Sequence, residues 1–340
     1  MEYFAERRER LTAAFSQFLT YLRTESFCGA VPVGTLSENT FEREVLRPLE
    51  QVFVEGKRNR ATLTYLSHDI VGGNSTSIDT LALVPELLHK GSVIIDDVQD
   101  STTTRYGKPT LHRELGAPLT VNIGTLVYFL PLEILEFAAV PQEMKAEIIS
   151  AYRTATVHAA IGQQVGLAWR KRRYREWELP TEAEYLNMVA RKTGMQLVFA
   201  AAVGAIAGNA TTDQRRALGH LALHAGVAYQ LHDDLLDLDP GHTGALDDLR
   251  QGEITLPEIW LSENNPRQWQ ELCRVLKRIG DDPLEAERAR TILTSSGGIA
   301  HTKTLAEQHL RNAQEQLARF DPSTERELLV EILERMITWR

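Results

Sequence analysis

Two short segments concentrate acid in a repeated pattern: Asp96, Asp97 and Asp100 in DDVQD, and Asp233, Asp234 and Asp237 in DDLLD. Each closes an apolar helical pattern. At 3.6 residues per turn, positions i and i+4 stack on one face and i+1 lies beside them. Carboxylates stacked in this way repel by roughly 0.2–0.5 kcal/mol per pair and sit near the negative end of the helix dipole. A bound cation relieves both costs. Oxygen donors without cysteine select a hard ion, and Mg²⁺ typically takes one or two carboxylates together with substrate phosphates. One such cluster alone reads more readily as a solvated acidic helix end. Two of them, flanked by Val93-Ile94-Ile95 and Leu235-Leu236, lie on helices that must be buried, and this favours metal binding.

The elements that carry these aspartates read as helices. Phe4, Leu11, Phe15, Phe18, Leu19 and Leu22 mark one apolar face; Leu81, Val84, Leu88, Gly91, Ile95 and Val98 a second; Leu221, Ala225, Ala228, Leu231 and Leu235 a third. Pro180-Thr181 opens a helix around Tyr185 to Ala207, with Glu182 and Glu184 in its first turn. Pro85 marks the first turn of its helix or kinks it. No run of alternating β-branched residues meets a tight-turn dipeptide. The expectation is an all-α bundle of about ten helices. With 340 residues, 43% of them hydrophobic, the chain can bury one large core or two modest ones. No linker or repeat divides it, so one continuous domain over residues 1–340 is expected.

The net charge of −9 argues against nucleic acid as a partner. The basic run Arg170 to Arg175 reads as a solvated loop or helix end, with a phosphate or anionic-lipid contact as the lesser reading. Cys28 and Cys273 are too few and too far apart for a disulfide framework, which points to a reducing, cytoplasmic setting. The charged N-terminus lacks an apolar leader core. The longest apolar run, Leu197 to Gly208, falls short of the roughly 18 residues that span a bilayer. No membrane span is expected, and the protein should be soluble.

Taken in order, the motifs resemble the trans-isoprenyl diphosphate synthases, or polyprenyl synthetases, and among them the geranylgeranyl diphosphate synthases. The resemblance is strongest over about residues 50–260. It is carried by Gly56-Lys57-Arg58-Asn59-Arg60, by Glu86-Leu87-Leu88-His89 followed by Ser92 to Asp100, and by Arg105-Tyr106-Gly107-Lys108-Pro109-Thr110. Gly162-Gln163, Lys192-Thr193-Gly194, Tyr229 to Asp234, and Asp248-Leu249-Arg250 to Thr255-Leu256-Pro257 continue the order.

The resemblance implies antiparallel helices around a deep central cavity, usually in a homodimer. It implies Mg²⁺, three ions with bound diphosphate, held through Asp96, Asp100 and Asp233 with Asp97, Asp234 and Asp237 in support. Arg105 and Lys192 would contact the allylic diphosphate. Gly56, Lys57, Arg60 and His89 would hold isopentenyl diphosphate, and Thr193 and Gln230 would face the developing carbocation. The activity implied is condensation of an allylic prenyl diphosphate with isopentenyl diphosphate to a C20 or longer product. Gly91 and Ser92, both small, would line the growing-chain tunnel.

Several positions depart from the family pattern. Tyr106 stands for a second arginine that would help hold isopentenyl diphosphate, so that binding should be weakened and an arginine there should strengthen it. Thr243-Gly244-Ala245 replaces the usual Gly-Lys, in a segment shortened by about two residues, and Glu253 stands where a lysine precedes Thr-Leu-Pro. Gly166 and Thr125 each stand where an acidic residue is usual. These changes keep open a terpene-synthase-like or other-acceptor prenyltransferase on the same scaffold, and thirdly a regulatory partner subunit of an active synthase. Lys90 reads as a solvated neighbour of His89 and Asp247-Asp248 as loop charge; His220 and His224 are spaced like two zinc ligands, but no third ligand accompanies them and zinc is not expected.

Overall fold

The computed structural model describes residues 2–24, 27, 37–54, 56–176, 179–241, 246–279 and 282–336, without the side chains of 172–176 and 336. The described chain is helical nearly throughout. Its only strands are Thr104–Arg105 (β1) and Lys108–Pro109 (β2), antiparallel with Arg105 opposite Lys108. The all-α expectation holds, but the helical segments outnumber the ten expected, because short linking helices carry no periodicity of their own. Two compact units contain the described residues: Met1–Arg153 with Phe199–Arg215, and Thr154–Val198 with Arg216–Arg340.

The first unit holds α1 (Glu2–Leu22), α2 (Glu38–Phe41), a π-helical turn at Glu42–Leu46 and α3 (Arg47–Val54). After these come α4 (Asn59–Asp69), α5 (Ile78–Gln99), the hairpin, α6 (Leu111–Leu115) and α7 (Ala117–Phe137). Leu81, Ala82, Leu83, Val84, Leu87 and Leu88 of α5 are all buried. A helix apolar on every side must be sheathed, and α1, α4 and α7 pack around it. Pro85 lies inside α5, not in its first turn.

Glycines set how closely α5 and α7 approach. A Cβ on Gly91 would stand 3.1 Å from both the Gly124 carbonyl oxygen and the Tyr128 nitrogen, and one on Gly124 would stand 2.6 Å from Ile95 Cδ1. Gly91 therefore faces backbone. This corrects its reading as a wall of the product tunnel.

One helix, α7, is apolar over most of its length although polar residues interrupt it. It is long and apolar enough by composition to cross a membrane, with 44% of that window buried inside the protein. Thr120, Ile123, Val127, Leu130 and Ile134 form its buried face.

The second unit contains the later part of α8 (Gln142–Glu176), α9 (Glu182–Val189), a π-helical turn at Ala190–Gly194 and the start of α10 (Met195–Ala207). It continues with most of α11 (Thr212–Leu236), then α12 (Asp247–Gln251), α13 (Leu256–Asn264), α14 (Pro266–Leu276), α15 (Pro283–Ser295), α16 (Gly298–Gln316) and α17 (Thr324–Met336). Thr181 caps α9 and Thr255 caps α13, each in a reciprocal capping box, with Glu184 and Glu258 respectively. Tyr185, Val189, Val227, Leu231, Ile254, Leu256 and Ile259 make the core beside the second acidic cluster.

Candidate functional site

In the first unit, the last turn of α5 carries Asp96, Asp97 and Asp100. Asp97 is buried while Asp96 and Asp100 are half-exposed. Arg105, on β1, donates to Asp97 Oδ1 from Nε at 2.9 Å and from Nη2 at 2.6 Å. Tyr106 (φ 52°) and Gly107 (φ 76°) turn the hairpin with two positive φ angles, the geometry that matches strand twist. This turn aims Arg105 back at α5. Burial pushes the Asp97 carboxyl above its ordinary value, with Arg105 opposing. The cluster is thus divided: Asp97 anchors the hairpin and is buried, while Asp96 and Asp100 are half-exposed.

The same unit builds a second basic place. Gly56 adopts φ +114° and Arg58, the N-cap of α4, φ 61°, so the chain turns sharply at Gly56-Lys57-Arg58. Arg8 donates to the Gly56 carbonyl at 2.8 Å. Arg58 is buried, stacks 4.1 Å over the Phe53 ring and meets Glu86 at 3.5 Å. Glu86 also accepts from the Ala61 amide at 3.3 Å. Lys57 is exposed, Arg60 buried and His89 half-buried. Lys90 is not a solvated neighbour: it is 8% exposed, and its Nζ lies 2.9 Å from where a Gly56 Cβ would stand. Sequence reading gives Glu86 no role of its own and takes Lys90 as solvated. Their spacing of four residues, with His89 between them, is the available signal that all three share one face of α5 near its middle.

In the second unit, α11 carries the DDLLD cluster. Asp233 is exposed, whereas Asp234 and Asp237 are buried. Asp234 accepts from the Tyr185 hydroxyl, from Gln230 Nε2 at 3.3 Å and from the Leu256 amide at 3.4 Å. Thr193 Oγ1 donates to Gln230 Oε1 at 3.0 Å, so the Gln230 amide is oriented at both ends. Burial pushes the Asp234 carboxyl up to about 7, against these hydrogen bonds. It raises Asp237 to about 6, although backbone amides of α12 lower it. One of those amides, Asp248 N, is 3.1 Å from Asp237 Oδ1. Asp248 therefore belongs to the start of α12 docked on Asp237, which corrects its reading as loop charge.

Lys192 and Thr193 sit in the π-helical turn, a device that re-aims side chains within a continuous helix. Gly162 permits this: a Cβ there would stand 2.5 Å from the Lys192 nitrogen. Gly226 likewise lets α11 approach Gly194, where a Cβ would be 2.6 Å from Gly194 Cα. Tyr185, 49 residues before Asp234, was passed over, and no local signal marks it.

Two other readings change. Glu253 is paired with Arg170 Nη1 at 2.8 Å, so the first residue of the basic run faces a carboxylate rather than solvent. The Arg172, Arg173 and Arg175 side chains of that run, Cys28 and the whole of Thr243-Gly244-Ala245 lie outside the described residues. His224 Nδ1 lies 3.0 Å from His309 Nδ1, and burial lowers the pKa of both rings, His309 to about 4.

The donor set suits Mg²⁺. Among the described residues no three Asp, Glu, His or Cys side chains close around one point. Mg²⁺ keeps several waters and needs only one or two carboxylates beside phosphate oxygens. Asp96 with Asp100, and Asp233 separately, are the carboxylates of the two clusters that are not buried, and they offer that kind of partial oxygen set.

Comparison with known proteins agrees. Residues 42–293 match the polyprenyl synthetase family model. The chain is 30% identical over 274 residues to the geranylfarnesyl diphosphate synthase of Aeropyrum pernix, covering 78% of this chain and 83% of that one. The geranylgeranyl pyrophosphate synthetase of Pyrococcus horikoshii superposes with a TM-score of 0.83 at 25% identity, over 100% of this chain and 99% of that one. The geranylgeranyl pyrophosphate synthase of Corynebacterium glutamicum, solved with isoprenyl diphosphate and magnesium, gives 0.82 at 20% identity, over 100% and 99% of the two chains.

Proposed function

This chain belongs to the polyprenyl synthetase family and is a prenyltransferase, and from that we propose that it condenses an allylic prenyl diphosphate with isopentenyl diphosphate, with Mg²⁺, to a C20 or longer product. One observation carries the choice of acceptor. The first unit has a basic turn at Gly56–Arg60, fixed by Arg8 and by the pairing of Arg58 with Glu86 near the middle of α5, and a second cation, Arg105, paired with Asp97 in the last turn of α5. Two places for anions on one helix suit a reaction with two diphosphates. A cyclase, which ionises a single diphosphate, has no use for the first.

Bound Mg²⁺ would supply positive charge against the diphosphate that leaves. Asp96 and Asp100 in the first unit, and Asp233 in the second, would hold such ions, while Asp97, Asp234 and Asp237 keep the helix ends in place. Arg105 and Lys192 would contact the allylic diphosphate as negative charge builds on it. Lys57, Arg60 and His89 would orient isopentenyl diphosphate. Gln230 and Thr193, locked to each other, would present fixed dipoles to the allylic cation.

The other-acceptor reading draws on Tyr106 and Glu253. Glu253 weakens as an argument because Arg170 neutralises it. A homodimer is supported by exposed apolar side chains on α7 (Val121, Phe129) and α8 (Ile149, Val157, Ile161). The test is product analysis after incubation with Mg²⁺ and C5 to C20 allylic diphosphates, with and without isopentenyl diphosphate. Release of diphosphate from the allylic substrate without condensation selects the other-acceptor reading.

A further inference from the structure

The two oxygens of Asp234 have different partners. Oδ2 accepts from the Tyr185 hydroxyl on α9 and from the Leu256 amide at the start of α13, 3.4 Å away. Oδ1 accepts from Gln230 Nε2 at 3.3 Å, one turn earlier on α11. An amide side chain has one donor end and one acceptor end. With Nε2 turned to Asp234, Gln230 Oε1 points the other way, and there it meets the Thr193 hydroxyl at 3.0 Å. Tyr185 and Thr193 lie on one rod, α9 and the π-helical turn that continues it. The earlier residue of that rod meets the later residue of α11, so the two run antiparallel and the rod clasps the Gln230–Asp234 pair at both ends. Core packing accounts for the Tyr185 ring, which is 2% exposed beside Val189, Val227, Leu231 and Leu256, but not for its hydroxyl. A phenylalanine would fill the same space without taking a polar group out of water. The hydroxyl is used on Asp234, and through Asp234 it reaches Gln230.

We propose that Tyr185 is a positioning residue: by holding Asp234 Oδ2 it turns Oδ1 onto Gln230, and so fixes which end of the Gln230 amide faces the allylic cation. The inference rests on the proposed role of Gln230 toward that cation. Without the hydroxyl, Oδ2 keeps only the Leu256 amide, the carboxylate is free to turn about its Cβ–Cγ bond, and the Gln230 dipole loses its direction. A dipole set in advance acts where charge develops, in the transition state, and not on the binding of either diphosphate.

The test is a double-mutant cycle with Mg²⁺ on the full chain: the unaltered protein, Tyr185→Phe, Gln230→Leu and the double variant. The rate followed is diphosphate release from the allylic substrate, with condensed product sized in parallel and melting temperatures taken in chelator. Tyr185→Phe should lower kcat about tenfold or more, with both Michaelis constants and the Mg²⁺ half-saturation held. In the Gln230→Leu background it should lower kcat by less than about twofold, because the amide it orients is gone. A merely structural tyrosine would slow both backgrounds alike, so losses that multiply in the double variant overturn the proposal. An unchanged kcat in Tyr185→Phe overturns it, with or without a shift in Mg²⁺ half-saturation. Condensation is judged apart: losses that do not multiply, without any condensed product, keep the proposal and overturn the condensation. Absence of diphosphate release by the unaltered protein overturns both. Should Tyr185→Phe fail to fold, Asp234→Asn takes its place in the cycle. The asparagine keeps an acceptor for Tyr185 and Leu256 but turns a donor on Gln230, so kcat should fall as far in the unaltered background and little in Gln230→Leu; multiplied losses again overturn the proposal.

Discussion

Arg170 and Glu253 are joined by a 2.8 Å ion pair, each side chain about one-fifth exposed at 17% and 24%. Glu253 stands where the family places a lysine before Thr-Leu-Pro, and read alone it subtracts a cation. Read with Arg170 it is half of a charge pair that ties α8 to the start of α13. Glu253→Lys should therefore set two cations together and destabilise the fold by about 1–2 kcal/mol, between the values for exposed and buried pairs. The double change Arg170→Glu with Glu253→Lys should recover most of it. Thermal unfolding of the three variants checks this, and equal loss in the single and double variants would refute the pairing.

The division within each aspartate cluster gives a second expectation. Asp96→Ala and Asp233→Ala remove carboxylates that are not buried, so turnover should fall by roughly a hundredfold or more with the melting temperature held. Asp234→Ala should lower both, because it strands the Tyr185 hydroxyl, Gln230 Nε2 and the Leu256 amide. Melting curves alongside diphosphate-release assays separate the two classes. Full turnover in Asp96→Ala at saturating Mg²⁺ would end its role in metal binding.

Stability in chelator should depend on pH through Asp234. Its folded pKa, about 7, stands above the ordinary carboxylate value of 3.8. The protonated form therefore stabilises the fold; that contribution is complete below pH about 4 and is lost as pH rises through about 7. Replacing the carboxylate with the amide in Asp234→Asn should flatten the fall in melting temperature between those limits, by an amount on the order of a few kcal/mol in free energy. Parallel pH profiles for the two proteins would contradict the assignment.

Product length should respond to Ser92 and not usefully to Gly91. Gly91 packs on the Gly124 carbonyl and the Tyr128 backbone, so Gly91→Phe should unfold the α5–α7 contact by about 3 kcal/mol or more. Ser92 is half-exposed, with its hydroxyl bonded to the His89 carbonyl at 2.7 Å. Ser92→Phe should keep the fold and shift products to shorter chains. An unchanged chain-length distribution in a folded Ser92→Phe protein would remove it from the tunnel wall.

What could be read in the sequence followed the range of the interaction. The clustering of the aspartates, the face that Gln230 shares with Asp234 and the Thr181 cap were legible because each depends on neighbours three or four residues away. The helical class was legible because apolar periodicity is also local. Lys90 and Arg170 were misread because each was judged by the charges beside it in the chain, whereas Gly56 and Glu253 reach them from 34 and 83 residues away. The π-helical turn at Ala190–Gly194 left no signature in a pattern that reads as one helix. Gly91 looked like open space because smallness alone does not say whether a cavity or a backbone lies opposite.

The central claim is that two diphosphates meet here and are joined. It is tested most directly by incubating the protein with Mg²⁺, an allylic diphosphate and radiolabelled isopentenyl diphosphate, then sizing the labelled lipid after dephosphorylation. The expected result is label in alcohols of C20 or longer, dependent on Mg²⁺ and on both substrates. Diphosphate released from the allylic substrate at the same rate with or without isopentenyl diphosphate, and no label in any prenyl product, would contradict it.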